Sequence, residues 1–238
     1  MNAGMYPLIT QRLKILFITD SLAFPRAEPE LVKYDDTYLA LLKTQFPDCD
    51  FIHQGRGGAT IVDLYKHTNY FHGTIAPDLV FMQSGVVDCA PRALTVVEQQ
   101  IISRLPLVGR PLGELVRRHA RGLRRLRNMT YTSLPVFEQY VRHFEALFPT
   151  VYWIGILPVA PAYDAKLEGM ARNVDRFNEV LRARRYVDSS GIDPDTMIMS
   201  DFHHLNSIGH AHLAELLGRK IRDHIASTDS IALPSRHR

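Results

Sequence analysis

Two short stretches carry residue types able to do chemistry together. Ser21 stands in TDSLAFPR (19–26), directly after the apolar run LKILFI, and Asp201 and His204 stand three residues apart in SDFHHLNSIGH (200–210). A carboxylate at that spacing can bond one imidazole nitrogen if the loop curls back, fixing the tautomer and leaving the other nitrogen free to accept a proton. A serine delivered from the end of a strand would complete a nucleophile, base and orienter. The plainer reading of the first stretch is capping, because Asp20 and Ser21 can accept from the free N–H groups of a helix start. Asp20 in particular suits a cap or turn anchor better than a reacting group. His203, His210 and His212 lie near His204, but no H-E-x-x-H or Cys/His pattern accompanies them; neither a metal nor a cofactor is expected, and His210 is read as packing or capping. His53, His67 and His72 acquire no role.

The elements that must position these groups follow from hydrophobic patterning. LKILFIT (13–19), DFIHQG (50–55), DLVFMQS (78–84) and VYWIGILP (151–158) are strand-like, and RYVD (185–188) is a short fifth candidate. YDDTYLALLKTQF (34–46) and ATIVDLYKHTNYF (59–71) have apolar residues at helical spacing. Strands of continuous rather than alternating apolarity, separated by helices, indicate βαβ units and a parallel sheet covered on both faces. Further on, 164–185 is predicted as one helix and 206–225 as the last, with a frayed tail from 226 to 238. The segment 92–148 has no evident strand and is expected to hold two helices and their connection.

That segment contains GRPLGELVRRHARGLRRLRN, with eight arginines between Arg104 and Arg127. Leu112, Leu115, Val116, Leu123 and Leu126 give it a partial apolar face, the mark of an amphipathic helix with a solvated basic side. The functional alternative is an electropositive rim for an anionic substrate, a phosphorylated carrier or an acidic lipid surface.

With 238 residues, 46% hydrophobic and 22% charged, the chain has the composition of a soluble globular protein able to build a sizeable core. A net charge of +3 does not by itself call for nucleic acid, and no nucleic-acid-binding motif accompanies the arginines. The N-terminal apolar run is too short to span a bilayer and is interrupted by basic residues where a signal peptide needs its apolar centre, so a cytoplasmic protein without a transmembrane segment is expected. Cys49 and Cys89 fit no CxxC or zinc-like spacing and are read as buried free thiols. Without repeats or a Pro/Gly linker, residues 1–238 are expected to form one domain.

Taken together, these motifs resemble the SGNH or GDSL-type hydrolases. Thr19-Asp20-Ser21-Leu22 is similar to their Gly-Asp-Ser-Leu after the first strand, with threonine replacing glycine. Gly58-Ala59-Thr60 resembles the glycine motif after the second strand, with Gly57 a competing candidate; a glycine there lets backbone N–H approach a developing oxyanion. Asp201-Phe202-His203-His204 resembles the closing Asp-x-x-His. The third motif departs: Gly85-Val86-Val87-Asp88 carries valine where the family has an asparagine that completes the oxyanion hole. Gln83 or Arg92 could substitute, the backbone N–H groups of Ser21 and Gly58 could suffice, or turnover could be lost. GVVDCAPR is similar to a variant in GDSL-like proteins encoded with bacterial surface-polysaccharide biosynthesis. Each motif alone is weak; four in order, each at a strand end or helix start, are a strong joint signal.

The resemblance implies a flavodoxin-like three-layer α/β/α sandwich around a parallel sheet of about five strands, and a serine esterase with Ser21, His204 and Asp201 as triad. It also implies an oxyanion hole of Ser21 and Gly58 backbone N–H groups and no cofactor. The implied substrate is a small-molecule or carbohydrate acyl ester, the acyl group being acetyl. Asp20, Asp88 and Arg92 are candidate substrate contacts, Arg92 through a carboxylate or phosphate, or else as an ion pair with Asp88. Transfer of the acyl group to a sugar hydroxyl, and a carbohydrate- or phosphate-binding protein without turnover, are alternatives on the same fold. A flavodoxin-type nucleotide binder would want a glycine-rich loop after the first strand, which DSLAFPR lacks.

Overall fold

A computed structural model describes residues 12–68 and 72–232. In chain order the elements are β1 (Lys14–Thr19), α1 (Tyr38–Gln45), β2 (Asp50–Gly55), α2 (Ile61–Thr68), α3 (His72–Ile75), β3 (Leu79–Gln83) and β4 (Pro91–Arg92). There follow α4 (Val96–Arg104), α5 (Gly109–Arg118), α6 (Ala120–Arg127), β5 (Met129–Thr130), α7 (Leu134–Leu147), β6 (Val151–Ile154), α8 (Pro161–Lys166), α9 (Met170–Arg182), β7 (Tyr186–Val187) and α10 (Ser207–Ala232). The residues before Arg12, the end of the helical pattern at 69–71 and the last six of the tail, 233–238, lie outside the described residues.

Five strands form one parallel sheet in the order β2-β1-β3-β6-β7. Leaving aside β4 and β5, this is the flavodoxin-like order, in which ligands collect beyond the carboxyl ends of the strands where the order reverses around the first. Alternate residues of β1 enter opposite cores. Ile15 and Phe17 pack with Tyr38 and Leu42 of α1, Phe81 of β3 and Leu213 and Leu217 of α10. Leu16 and Ile18 pack with Ile61 and Leu64 of α2, Phe137 and Phe144 of α7, and Phe177 and Leu181 of α9. Both faces are dry at the centre of the sheet, which is why β1 and β3 read as apolar runs, whereas the edge strand β2, DFIHQG, is half-buried throughout.

The structure departs from the sequence-based expectation in three places. Residues 92–148 hold four helices rather than two, and β4 pairs with β5 antiparallel, Arg92 opposite Met129, to close a loop of three short helices, α4 to α6. Thr95 and Glu98 form a capping box at the start of α4, and both Glu98 carboxylate oxygens accept from the Arg127 guanidinium at 2.8 Å, clipping the start of α4 to the end of α6. The helix expected over 164–185 is broken at Gly169, whose φ of +90° lies in the left-handed region that other residues avoid. Finally, α10 continues to Ala232, past the predicted end at 225.

Candidate active site

β1 ends against both neighbours, Thr19 lying opposite Gly55 of β2 and Gln83 of β3. The chain turns immediately: the Asp20 side chain accepts from the Leu22 N–H at 3.0 Å and caps a short 3-10 turn over Ser21–Ala23. The capping reading of TDSL thus falls to Asp20 and leaves the Ser21 hydroxyl outside the cap. Asp20 is the cap, fully buried, and Ser21 on the next position is partly exposed. Burial pushes the Asp20 carboxyl up to about 7, against the Leu22 hydrogen bond, which lowers it.

Residues 198–205 curl as the spacing requires. Ile198 and Leu205 bridge antiparallel, and the Met199 N–H donates to the His204 carbonyl. Phe202 takes the turn with a φ of +73°, an unusual conformation for an aromatic residue and one held by its N–H bond to the Met199 carbonyl. Asp201 is thereby brought under His204: its Oδ2 lies 2.6 Å from His204 Nδ1 and its Oδ1 accepts from the His204 backbone N–H at 3.0 Å. The other ring nitrogen, Nε2, lies 3.0 Å from Ser21 Oγ across 183 residues of sequence. Ser21, His204 and Asp201 thus form one hydrogen-bonded chain.

His204 is only 6% exposed, and that burial dominates its ionisation, lowering its pKa to about 4 against the bond from Asp201, which raises it. A neutral imidazole with Nδ1–H held by a carboxylate presents Nε2 as a proton acceptor at neutral pH. Asp201, His203 and His204 each offer one ligand atom within 4.8 Å of the others. Their clustering is accounted for by the Asp201–His204 bond and by His203 Nδ1, 2.9 Å from the Asp201 carbonyl.

One residue of this site is not evident from sequence. Arg26 is held opposite Val32 by a pair of backbone hydrogen bonds, and Glu30 in the same loop accepts from the Ser200 N–H at 3.0 Å. The two ties lay the loop against the Asp201 turn, and an Arg26 guanidinium nitrogen reaches His204 Nε2 beside Ser21. Its positive charge adds to the lowering of the His204 pKa. Should His204 act as the base, kcat/KM would rise along an acid limb near pH 4 and stay level through neutrality. Arg26→Met moves that limb to higher pH, since removing a cation favours the imidazolium; a pH–rate profile on a neutral ester measures the shift.

The glycine loop is set at the same edge of the sheet. Arg56 N–H donates to the Thr19 carbonyl, and a Cβ placed on Gly57 would lie 3.9 Å from Ser21 Cβ. Gly58 has a φ of +67°, and both Gly58 and Val87 line a cavity of about 480 Å³ together with Tyr131 and Thr132. Gln83 is buried, its side-chain carbonyl accepting from the Tyr38 hydroxyl at 2.7 Å while its Nε2 has no hydrogen-bond partner.

Two candidate substrate contacts have other work. Asp88 is fully buried and accepts from the Ile61 N–H, the Ser84 hydroxyl and the Thr132 hydroxyl, tying the loop after β3 to α2 and to the bend before α7. Arg92 stacks 3.8 Å over the Tyr131 ring and donates to Gln99, rather than pairing with Asp88. His210 accepts from the Tyr38 N–H at the start of α1, the packing and capping role expected of it.

No protein-family model matches this sequence, and no match to it was found among curated proteins. Solved structures are similar to it. A lipase/acylhydrolase from Enterococcus faecalis superposes with a TM-score of 0.62 at 15% identity, over 89% of this chain and 96% of that one. An acetylxylan esterase from Geobacillus stearothermophilus, solved as a catalytic mutant, gives 0.53 at 18% identity over 88% and 94%. A member of the lipolytic G-D-S-L family from Veillonella parvula gives 0.55 at 13% identity over 86% and 95%. The protein shares the three-layer α/β/α fold of these ester hydrolases, with a five-stranded central sheet. No helix among the described residues is long and apolar enough to cross a membrane.

Proposed function

We propose that the protein is a serine ester hydrolase of the SGNH/GDSL type that removes an acyl group, acetyl in the first instance, from a carbohydrate ester. The observation that carries the reading is the Ser21–His204–Asp201 hydrogen-bonded chain at the carboxyl edge of the sheet. Ser21 Oγ attacks the ester carbonyl while its proton passes to His204 Nε2, and Asp201 holds Nδ1–H and stabilises the imidazolium. Backbone N–H groups of Ser21 and of the Gly57–Gly58 loop receive the oxyanion. Its collapse expels the alcohol, which takes the proton back from Nε2, and leaves an acyl-serine; water, deprotonated by His204, then releases the acid. A sugar hydroxyl in place of that water would make the product an acyl sugar. The partly exposed Tyr163 and Phe202 rings, stacked 5.6 Å apart beside His203, offer an aromatic surface of the kind sugar faces pack on. The same reading places the protein with surface-polysaccharide biosynthesis in the cytoplasm.

A fluorophosphonate probe tests the nucleophile. Covalent modification located on the peptide carrying Ser21 is the expected result, and a folded wild type that takes no label would mean that Ser21 is not activated. Val87 offers a separate check. One oxyanion donor is worth about a hundred- to a thousandfold in turnover, so Val87→Asn, placing an amide on the cavity wall it shares with Gly58, is expected to raise kcat on p-nitrophenyl acetate by at least about tenfold. An unchanged kcat would show that backbone donors already saturate the oxyanion.

A further inference from the structure

The three short helices between β4 and β5 border an open cavity of about 470 Å³ that takes no part in the triad. Arg92, Arg110, Arg117 and Arg124 line it, and among the described residues no aspartate or glutamate does. Arg124 carries a buried Nε without a hydrogen-bond partner. Arg92 is oriented by its stacking on Tyr131 and its bond to Gln99, another wall residue. Arg117 has one carboxylate neighbour, Glu114, in a solvent-exposed pair, and such pairs hold little. The wall gathers positive charge, screened by water at the exposed Arg110 and Arg117, and the Arg124 nitrogen shielded from water without a partner is costly. An anion among the arginines would offset both.

We infer that this cavity is a binding site for a phosphate-bearing part of the substrate. A carboxylate is saturated by one guanidinium fork, whereas a phosphate or pyrophosphate has oxygens for several. The volume is that of an organic ligand rather than of a bare ion, and Leu94, Ile102, Val116 and the Tyr131 ring supply an apolar wall for its body. Tyr131 also lines the cavity that holds Gly58 and Val87, so the two spaces share a wall. An acyl ester at Ser21 and a phosphate among the arginines would then belong to one molecule, such as a sugar carried on a phosphate or diphosphate. That placement rests on the esterase reading; anion binding by the cavity does not.

Calorimetric titration of the full chain with inorganic pyrophosphate, at constant ionic strength, tests the site. Wild type and Ser21→Ala are expected to bind alike, Arg110→Gln/Arg124→Gln at least about tenfold more weakly, and Arg124→Lys in between, because it keeps the charge but not the fork. The double variant should retain wild-type turnover of uncharged p-nitrophenyl acetate, which shows that it folds. Absence of pyrophosphate binding by wild type, or equal binding by the double variant, would overturn the proposal. So would association with phosphatidylglycerol vesicles without pyrophosphate binding, which would reassign the arginines, with the exposed Leu107 and Leu126 near them, to a lipid surface. If Ser21 takes no fluorophosphonate but pyrophosphate binding depends on Arg110 and Arg124, the esterase reading fails and the anion site stands.

Discussion

Ser21→Ala is expected to lower ester hydrolysis by roughly 10⁴-fold or more, with folding stability almost unchanged. In the proposed mechanism the hydroxyl removed is the attacking atom, and a water placed by chance beside His204 Nε2 does not inherit its position 3.0 Å from that nitrogen. Alanine keeps the backbone N–H that the oxyanion needs, so a small residual rate over the uncatalysed reaction persists. His204→Ala should cost about as much, and the double variant little more than either single change, because the members of such a chain act as a unit. Steady-state turnover, with active sites counted by burst titration, measures all three. Retention of a tenth of the wild-type rate by Ser21→Ala would remove Ser21 from the chemistry.

Asp88→Ala is expected to cost about 3–5 kcal/mol of folding stability, the range for losing one partner of a buried polar network. Three donors from three segments converge on the carboxyl of Asp88, and alanine leaves all of them buried and unmet. Burial holds the Asp88 carboxyl up at about 6, against the hydrogen bonds from Thr132, Ile61 and Ser84, which lower it. A carboxyl whose folded pKa lies above its unfolded value near 4 stabilises the fold when protonated and loses that contribution as pH rises through 6. The advantage of wild type over Asp88→Asn, which cannot titrate, should therefore be largest near pH 4 and shrink by pH 7. Urea midpoints at the two pH values read the difference, and a widening gap would show that the ionised form is the one the fold prefers.

The unevenness with which sequence forecast this molecule has physical causes. All five sheet strands fall inside their expected segments, and β1 and β3, dry on both faces, leave the clearest apolar signature. The segment after β4 is different. Its helices are short, and Leu107, Leu112, Leu115 and Leu126 stay exposed instead of packing on the sheet, so apolar spacing there does not mark a buried face and two helices were expected where four exist. The break at Gly169 depends on one left-handed residue inside an otherwise helical pattern. Asp88 and Arg92 carry charges that suit a substrate, and only their partners, Ile61, Ser84 and Thr132 for the one, Gln99 and Tyr131 for the other, show them engaged within the protein.

By itself the sequence determined the layered parallel sheet and the residue types of the site: a serine at the end of the first strand, and an aspartate and histidine three apart before the last helix. Tertiary structure decided the rest. It set Ser21 against His204 across 183 residues, divided TDSL into a buried cap and a partly exposed hydroxyl, brought Arg26 to the same imidazole, and gathered four arginines around one cavity. The reason is one of range: burial periodicity and local hydrogen bonding are written in neighbouring residues, whereas the meeting of side chains from distant loops exists only once the sheet has ordered its strands.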